Sequence, residues 1–445
     1  MSIFHTLKSK LVHHIKRHEF ADRAIWRLRH PFALEDMVHR HHDEFLRLQE
    51  NLKVLADSAW TLRMRIKVRH GIPVKAIFVC HEPALWPMHE TIYQAMVEDE
   101  KFDPVVVAMP NTQFGRPVDK GMFDYCVKNG IRVVAGYDYH NGEWLDPVSL
   151  APDYVFFQTP YDFFPDRWQT VTITAHAKLC YLDYGATVLR DSGDHPEAFL
   201  MHAAHIFEDH DFSKNKLAER LGGRRWYRSG TVKVTGSPKL DYLECWRKSP
   251  PQVAAARRTE ILWTPRWRTS EGTCHFFTYK DYFVKLCARR KDIRFVFRPH
   301  PLTFQNFIKT GEMTPAEVED FKKGYTETDN MELNESPDYR PVMLTSAILI
   351  TDMSSMIAEY LPTGKPIIYT HRVDMFSDYA QKLAEGCYWV RNETELEACI
   401  QQLLDGQDPL REKRREIVES FFFLPEGGSG KYIKEILRRE YLANS

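Results

Sequence analysis

Residues 346–370 read SAILITDMSSMIAEYLPTGKPIIYT, and this stretch restricts the possible folds more than any other. Residues 347–351 are a short apolar run with β-branched members, the pattern of a buried strand. Asp352 and Met353 make a turn, and Ser354 and Ser355 are residues of the type that caps a helix over 356–361. Gly364 stops that helix, Pro366 prevents its resumption, and 367–370 form the next strand. Such a strand–helix–strand unit crosses over right-handedly and belongs to a parallel sheet with helices on its faces. The 352–355 turn then lies at the carboxyl end of a strand and the amino end of a helix. Free N–H groups, the helix dipole and two hydroxyls suit an anion there. A plain capped helix of any α/β protein fits the same spacing.

The same alternation runs along the chain. Strands are expected at 75–80 (KAIFVC, ending at His81), 104–109, 132–135, 154–158 and 177–181, with helices at 90–97 and 118–129. The last of these strands leads into Asp183-Tyr184-Gly185. A second series follows, with strands at 232–234, 260–263 and 293–297, a helix at 279–289, and a polar insertion at about 310–340. Helices near 378–384 and 393–405 come after the central unit, and a Gly-rich turn at 427–431 enters a final helix. The expected fold is α/β with two Rossmann-like halves. Its expected parts are a helical basic extension (1–72), an N-terminal Rossmann-like domain (73–231), a C-terminal nucleotide-binding one (232–425) and a C-terminal helix (426–445).

A net charge of -1 gives no global nucleic-acid signal, so no nucleic-acid partner is expected. The eight cysteines are scattered without a CxxC pair, which suits a reduced compartment and argues against structural zinc. No window approaches the ~18 apolar residues of a spanning helix, and the start lacks a signal peptide's apolar core, so a cytoplasmic location is expected. The extension is rich in Lys, Arg and His. Phe4, Leu7, Leu11 and Ile15 form one apolar stripe among Lys8, Lys10, Lys16 and Arg17, and Phe45, Leu48, Leu52 and Leu55 form another. These stripes read either as helices packed on the domain or as a basic amphipathic anchor on an anionic membrane surface. His39, His41 and His42 have no acidic or Cys partner at ligand spacing and read as a solvated helix face.

The strand ends carry the chemistry, because open α/β sheets bind ligands beyond the carboxyl ends of their strands. Those ends offer Lys239 in GSPKLD, Arg266 and Arg268 in TPRWR, Arg298 and His300 in RPHP, and the Asp352–Ser355 turn. If they converge, they make a cationic, donor-rich pocket suited to a pyrophosphate. Pro299 and Pro301 bias Arg298 and His300 towards extended backbone. No GxGxxG turn, Walker A loop or GxSxG elbow is present.

GSPKLD, WTPRWR, FRPHP and LITDMSS…Y…GKPIIY, in this order over roughly residues 230–435, resemble the CDP-glycerol glycerophosphotransferase family of teichoic-acid primases and polymerases. The resemblance implies a GT-B fold, in which two Rossmann-like domains face a cleft. It implies transfer of glycerol phosphate, or ribitol phosphate in relatives, from a CDP-alditol donor to a hydroxyl of a lipid-linked cell-envelope or capsule acceptor, with CMP released. Family members work at the inner face of the cytoplasmic membrane. Arg298, His300, Asp352, Ser354 and Ser355 match the motifs; the 427–431 stretch is similar to the family's Asp-Gly-Lys-Ala-Ser tail but lacks the Asp. On this reading Arg298 and the serine turn hold the pyrophosphate. His300 donates to a phosphate oxygen or protonates the leaving CMP, and Arg266, Arg268 and Lys239 add charge. No cofactor and no protein-held metal are expected, while Mg²⁺ accompanying the nucleotide is compatible. One departure concerns the base: where the polymerases have Trp-His-Gly, this chain has Asp183-Tyr184-Gly185. His81, Asp183 and Tyr184 are the stand-ins. A Tyr, with its pKa of about 10, is a poor base at neutral pH, and an Asp needs burial to become a good one. A GT-B glycosyltransferase using a sugar nucleotide and a non-catalytic membrane scaffold remain the alternatives.

Overall fold

The computed structural model describes residues 31–112, 118–161, 164–183, 196–224, 226–248, 258–371 and 375–444. Two all-parallel sheets form the frame. The first has the order β3-β2-β1-β6-β7-β8-β9. Its strands are β1 (Val74–Cys80), β2 (Phe102–Ala108), β3 (Val133–Ala135), β6 (Tyr154–Phe157), β7 (Lys178–Leu182), β8 (Ala203–Glu208) and β9 (Val232–Val234). A small antiparallel hairpin, β4 (Tyr137–Asp138) with β5 (Glu143–Trp144), projects after β3. The second sheet, in the order β12-β11-β10-β13-β14-β15, contains β10 (Thr259–Thr264), β11 (Ile293–Phe297), β12 (Met331–Leu333), β13 (Ile348–Thr351), β14 (Ile367–Thr370) and β15 (Tyr388–Val390). Strands β6, β13 and β14 are buried along their whole length, which is why they read as unbroken apolar runs.

Three expectations change. Val232–Val234 is not the first strand of the second half: it pairs with β8 and closes the edge of the first sheet, so Lys239 follows a first-sheet strand. The polar insertion is structured. A Thr314–Glu317 capping box starts the helix Pro315–Glu327, which leads into the edge strand β12 beside β11. β8, absent from the expected set, lies between β7 and β9.

The chain divides into two compact units at Ala59 and Trp60. The helix Pro31–His70 begins in the first unit and ends in the second. In the second unit Trp60 Nε1 donates to the Asp153 carbonyl at 3.0 Å, and Arg63 and Lys67 both pair with the buried Asp153 carboxylate. In the first unit Leu48, Leu52 and Leu55 are 61%, 62% and 65% exposed. The Phe4–Ile15 stripe lies outside the described residues. No described helix is long and apolar enough to cross a membrane.

The C-terminal helix Ser429–Leu442 packs on the first sheet's layer, where Ile433, Leu437 and Tyr441 share a core with Met88, Ile92 and Met96. The glycine-rich turn before it holds a carboxylate of this same chain. Asp241 accepts from Ser429 N at 2.7 Å, Gly430 N at 2.9 Å and Thr91 Oγ1 at 2.6 Å. A side chain at position 430 would meet the Thr91 hydroxyl at 2.3 Å, so only glycine permits this approach. The glycine-rich turn therefore clasps Asp241.

Candidate active site

Register brings three of the expected strand ends together. β10 lies between β11 and β13, with Trp263 opposite Phe297 and Thr264 opposite Thr351. Residues 265–268, 298–300 and 352–355 therefore leave the sheet side by side. The Thr351 hydroxyl donates to the Thr264 carbonyl at 2.7 Å and locks the two strand ends together.

Asp352 organises this edge from within. Its carboxylate is buried and accepts two main-chain N–H groups, from Arg266 at 2.6 Å and from His275 at 2.9 Å. Burial pushes its pKa up to about 7, against the pull of those two donors. Asp352 thus fixes the Pro265–Arg268 turn and the start of the helix Phe276–Arg289, while His275 Nδ1 meets Thr370 Oγ1 at 3.0 Å. The Asp352 carboxylate orients the turn.

The cations differ in how they are engaged. Arg266 pairs through Nε with Glu271 and reaches the Met353 carbonyl at 3.3 Å. Arg268 meets the same Glu271 at 3.3 Å and lies over the Trp267 ring at 4.3 Å. One carboxylate, unnoticed in the sequence, therefore offsets both. Arg298 donates to Asn334 Oδ1 at 2.5 Å and sits 5.8 Å from the Tyr339 ring. Burial draws its pKa down from the ordinary arginine range. His300 is exposed at the rim, stacked on Trp267 with ring centroids 5.4 Å apart. Its Nδ1 accepts the Leu302 N–H at 3.1 Å, which in the neutral ring puts the proton on Nε2.

The serine turn is only half a cap. Ser354 Oγ accepts from Met356 N at 3.3 Å, whereas Ser355, at the N-cap, makes no side-chain cap bond. The helix Met356–Tyr360 continues as a 3₁₀ turn, Leu361–Thr363, and Gly364 ends it at φ 76° as expected.

A cavity of about 120 Å³ lies at the carboxyl ends of β7, β8 and β9, against helices of the second half. Asp183, Asp209, His210 and Lys239 line it from the first sheet, and Glu359 and Tyr379 from helices of the second. Gly236, at φ 74°, shapes the turn before Lys239; a side chain there would strike the Phe423 carbonyl at 2.3 Å. Lys239 is buried and pairs with Glu359 at 3.3 Å, and Glu359 also accepts from the Tyr339 hydroxyl. The route Arg298–Tyr339–Glu359–Lys239 links the cationic rim to the cavity. His81 does not line it. Its N–H donates to Gln158 at 2.8 Å and its ring meets the edge of Phe164. Tyr184 lies outside the described residues. Asp209 and His210 were missed in the sequence because the strand before them was missed, although the charged run Glu208–Asp211 ahead of a helix was visible.

Comparison with known proteins bears on this geometry. A sequence comparison with curated proteins finds no match. The chain is similar in fold to the wall teichoic acid polymerase TagF, at 12% identity and a TM-score of 0.56 over 92% of this chain and 98% of that one. It is also similar to the UDP-bound MnaA of S. aureus, at 14% identity and a TM-score of 0.54 over 84% and 98%. The UDP-GlcNAc 2-epimerase of Neisseria meningitidis, bound to UDP-GlcNAc, matches at 14% identity and a TM-score of 0.55 over 82% and 100%. The two-sheet frame is thus of the GT-B type. The sequence model of one family matches residues 156–438, a wider span than the motifs alone marked, reaching back into β6. The chain belongs to the CDP-glycerol:poly(glycerophosphate) glycerophosphotransferase family.

Proposed function

We propose that this enzyme moves glycerol phosphate from CDP-glycerol to a hydroxyl of a lipid-linked envelope polymer and releases CMP. Beyond family membership, one observation carries the reading: Arg298 and His300 leave β11 beside the turns of β10 and β13, and Arg298 connects through Tyr339 and Glu359 to Lys239 in the cavity. Phosphoryl transfer needs little covalent help from the protein and depends on positioning and charge neutralisation. In this account Arg298 and the Ser354–Ser355 turn hold the pyrophosphate. His300 donates Nε2–H to an oxygen of the β-phosphate. The Leu302 N–H on Nδ1 favours that role over proton delivery to CMP, which needs a second ring proton where Nδ1 already accepts. Arg266 and Arg268, offset by Glu271, contribute to the potential more than to direct contact. Mg²⁺ arriving with the nucleotide is compatible with this scheme.

Attachment to the bilayer belongs to the same reading. The exposed Leu48–Leu52–Leu55 stripe and the basic, apolar-striped residues 1–20 suit reversible contact with anionic lipid. Such a protein sediments with anionic and not neutral vesicles, and salt releases it.

The test is a donor panel of CDP-glycerol, CDP-ribitol and UDP-sugars, offered with an envelope extract as acceptor. CMP release with CDP-glycerol is the expected result. UDP or UMP release from a sugar nucleotide, or no turnover with any donor, overturns the reading.

A further inference from the structure

The proposed reaction needs a group to take the proton of the attacking hydroxyl, and this chain lacks the Trp-His-Gly histidine. The cavity supplies another arrangement. Asp209 and His210 stand at the carboxyl end of β8, where the helix Asp211–Leu221 begins. His210 caps that helix: its Nδ1 accepts the Ser213 N–H at 3.0 Å. The other ring nitrogen, Nε2, then carries the proton and faces Asp209 Oδ1 at 3.2 Å. Tyr379, from the second sheet's layer, stacks on the His210 ring with centroids 3.9 Å apart and prevents it from turning. Ser213 Oγ also donates to Asp209 Oδ1, at 3.3 Å. Both contacts, of which that from Ser213 is the hydrogen bond, fall on the same oxygen. Oδ2 accepts no hydrogen bond from another described residue, and the side chain is 33% exposed where it lines the cavity.

We propose that Asp209 is the general base that accepts the proton of the attacking acceptor hydroxyl, and that His210 is a positioning residue that aims its carboxylate. The proposal rests on the phosphotransferase reading above. In the step, Asp209 Oδ2 takes the hydroxyl proton as the acceptor oxygen forms its bond to the β-phosphorus. The bond from that phosphorus to the bridging oxygen breaks, and CMP leaves with the electron pair. The protonated Asp209 returns its proton to water once the products depart. Electrostatics favour the assignment. Burial raises the Asp209 carboxyl above its usual range, and the Asp183 charge on the same cavity wall adds to this; His210 would oppose it only when protonated. A carboxylate raised in this way is a stronger base near neutral pH. Burial lowers the pKa of His210, which favours the neutral ring with its proton on Nε2, 3.2 Å from Asp209 Oδ1.

The test uses the full chain, CDP-glycerol and a soluble glycerol phosphate oligomer as acceptor. Asp209→Asn and Asp209→Ala should lower kcat by about 10²–10⁴-fold, the range for losing a general base. Both should keep wild-type affinity for CDP-glycerol by calorimetry. Formate should restore about tenfold to the alanine variant by entering the vacated space as an external base. His210→Asn, which still caps the helix but ends short of Asp209, should lower kcat and leave the KM for CDP-glycerol unchanged. Near wild-type kcat in Asp209→Asn, or a loss in Asp209→Ala that formate does not relieve, overturns the assignment of the base. An unchanged kcat in His210→Asn overturns the positioning role. A wild-type protein that never releases CMP overturns the phosphotransferase reading, which is a different failure.

Discussion

Replacing Asp352 by Asn should loosen the edge that holds the cations. In the native chain Oδ1 takes the Arg266 N–H at 2.6 Å and Oδ2 takes the His275 N–H at 2.9 Å. An amide keeps one acceptor oxygen and turns an NH₂ towards the other N–H. One buried donor loses its partner, which costs roughly 1–3 kcal/mol. The pH dependence has a definite sign. The folded pKa, about 7, lies above the ordinary value of 3.8, so the stability this carboxyl contributes is full below the lower value and is lost as pH rises through the higher. Asparagine does not titrate. The deficit of Asp352→Asn should therefore be larger at about pH 5 than at about pH 8. Denaturant midpoints at the two pH values, at constant m, measure it. Calorimetry should also show weaker CDP-glycerol binding, because the Pro265–Arg268 turn is no longer fixed. Wild-type stability at both pH values would refute the pinning role, and a deficit that grows with pH would refute the burial-raised carboxyl.

Other perturbations have equally definite outcomes. His300→Ala should lower turnover by about 10²–10³-fold, as for loss of one donor to a developing charge, with the fold intact by circular dichroism. Near wild-type turnover would leave His300 a structural rim residue. Ser354→Ala should cost roughly 0.5–1.5 kcal/mol through its lost bond to Met356 N, whereas Ser355→Ala, which loses no cap bond, should leave the denaturant midpoint unchanged. The double variant should bind CDP-glycerol more weakly, and unchanged affinity removes the turn from the pocket. Gly430→Ala drives a methyl to 2.3 Å from Thr91 Oγ1 and 2.6 Å from Ile92 N. It should destabilise by about 1–3 kcal/mol, seen as a lower melting temperature.

The fold was legible where strands are buried on both faces. KAIFVC, IRFVF and ILIT are unbroken or nearly unbroken apolar runs because little of them meets water. β8 was not legible: AAHIFE mixes small, polar and acidic residues, although four of its last positions are buried. With it went Asp209 and His210, and a histidine cap matches no usual cap signal. The cations at the strand ends could be read, but their pairing could not. Glu271 lies five residues from Arg266 in a loop, where no helical spacing implies contact. Asp352 could be placed in the turn, yet its bonds to Arg266 and His275 span 86 and 77 residues of chain and exist only once the sheet has formed. The glycine-rich turn could be read as the entry to the last helix, but not its partner: its main-chain N–H groups hold Asp241, 188 and 189 residues away in the chain.

Attack at phosphorus carries the β-phosphate to the acceptor, so the fate of that phosphate decides between the mechanisms. CDP-glycerol radiolabelled at the β-phosphorus is incubated with the full chain and a glycerol phosphate oligomer, and the products are separated. The label should enter the oligomer, with unlabelled CMP released in equal amount. Label remaining in CDP would mean attack at the glycerol carbon, as in a glycosyltransferase-like reaction, and would contradict attack at phosphorus.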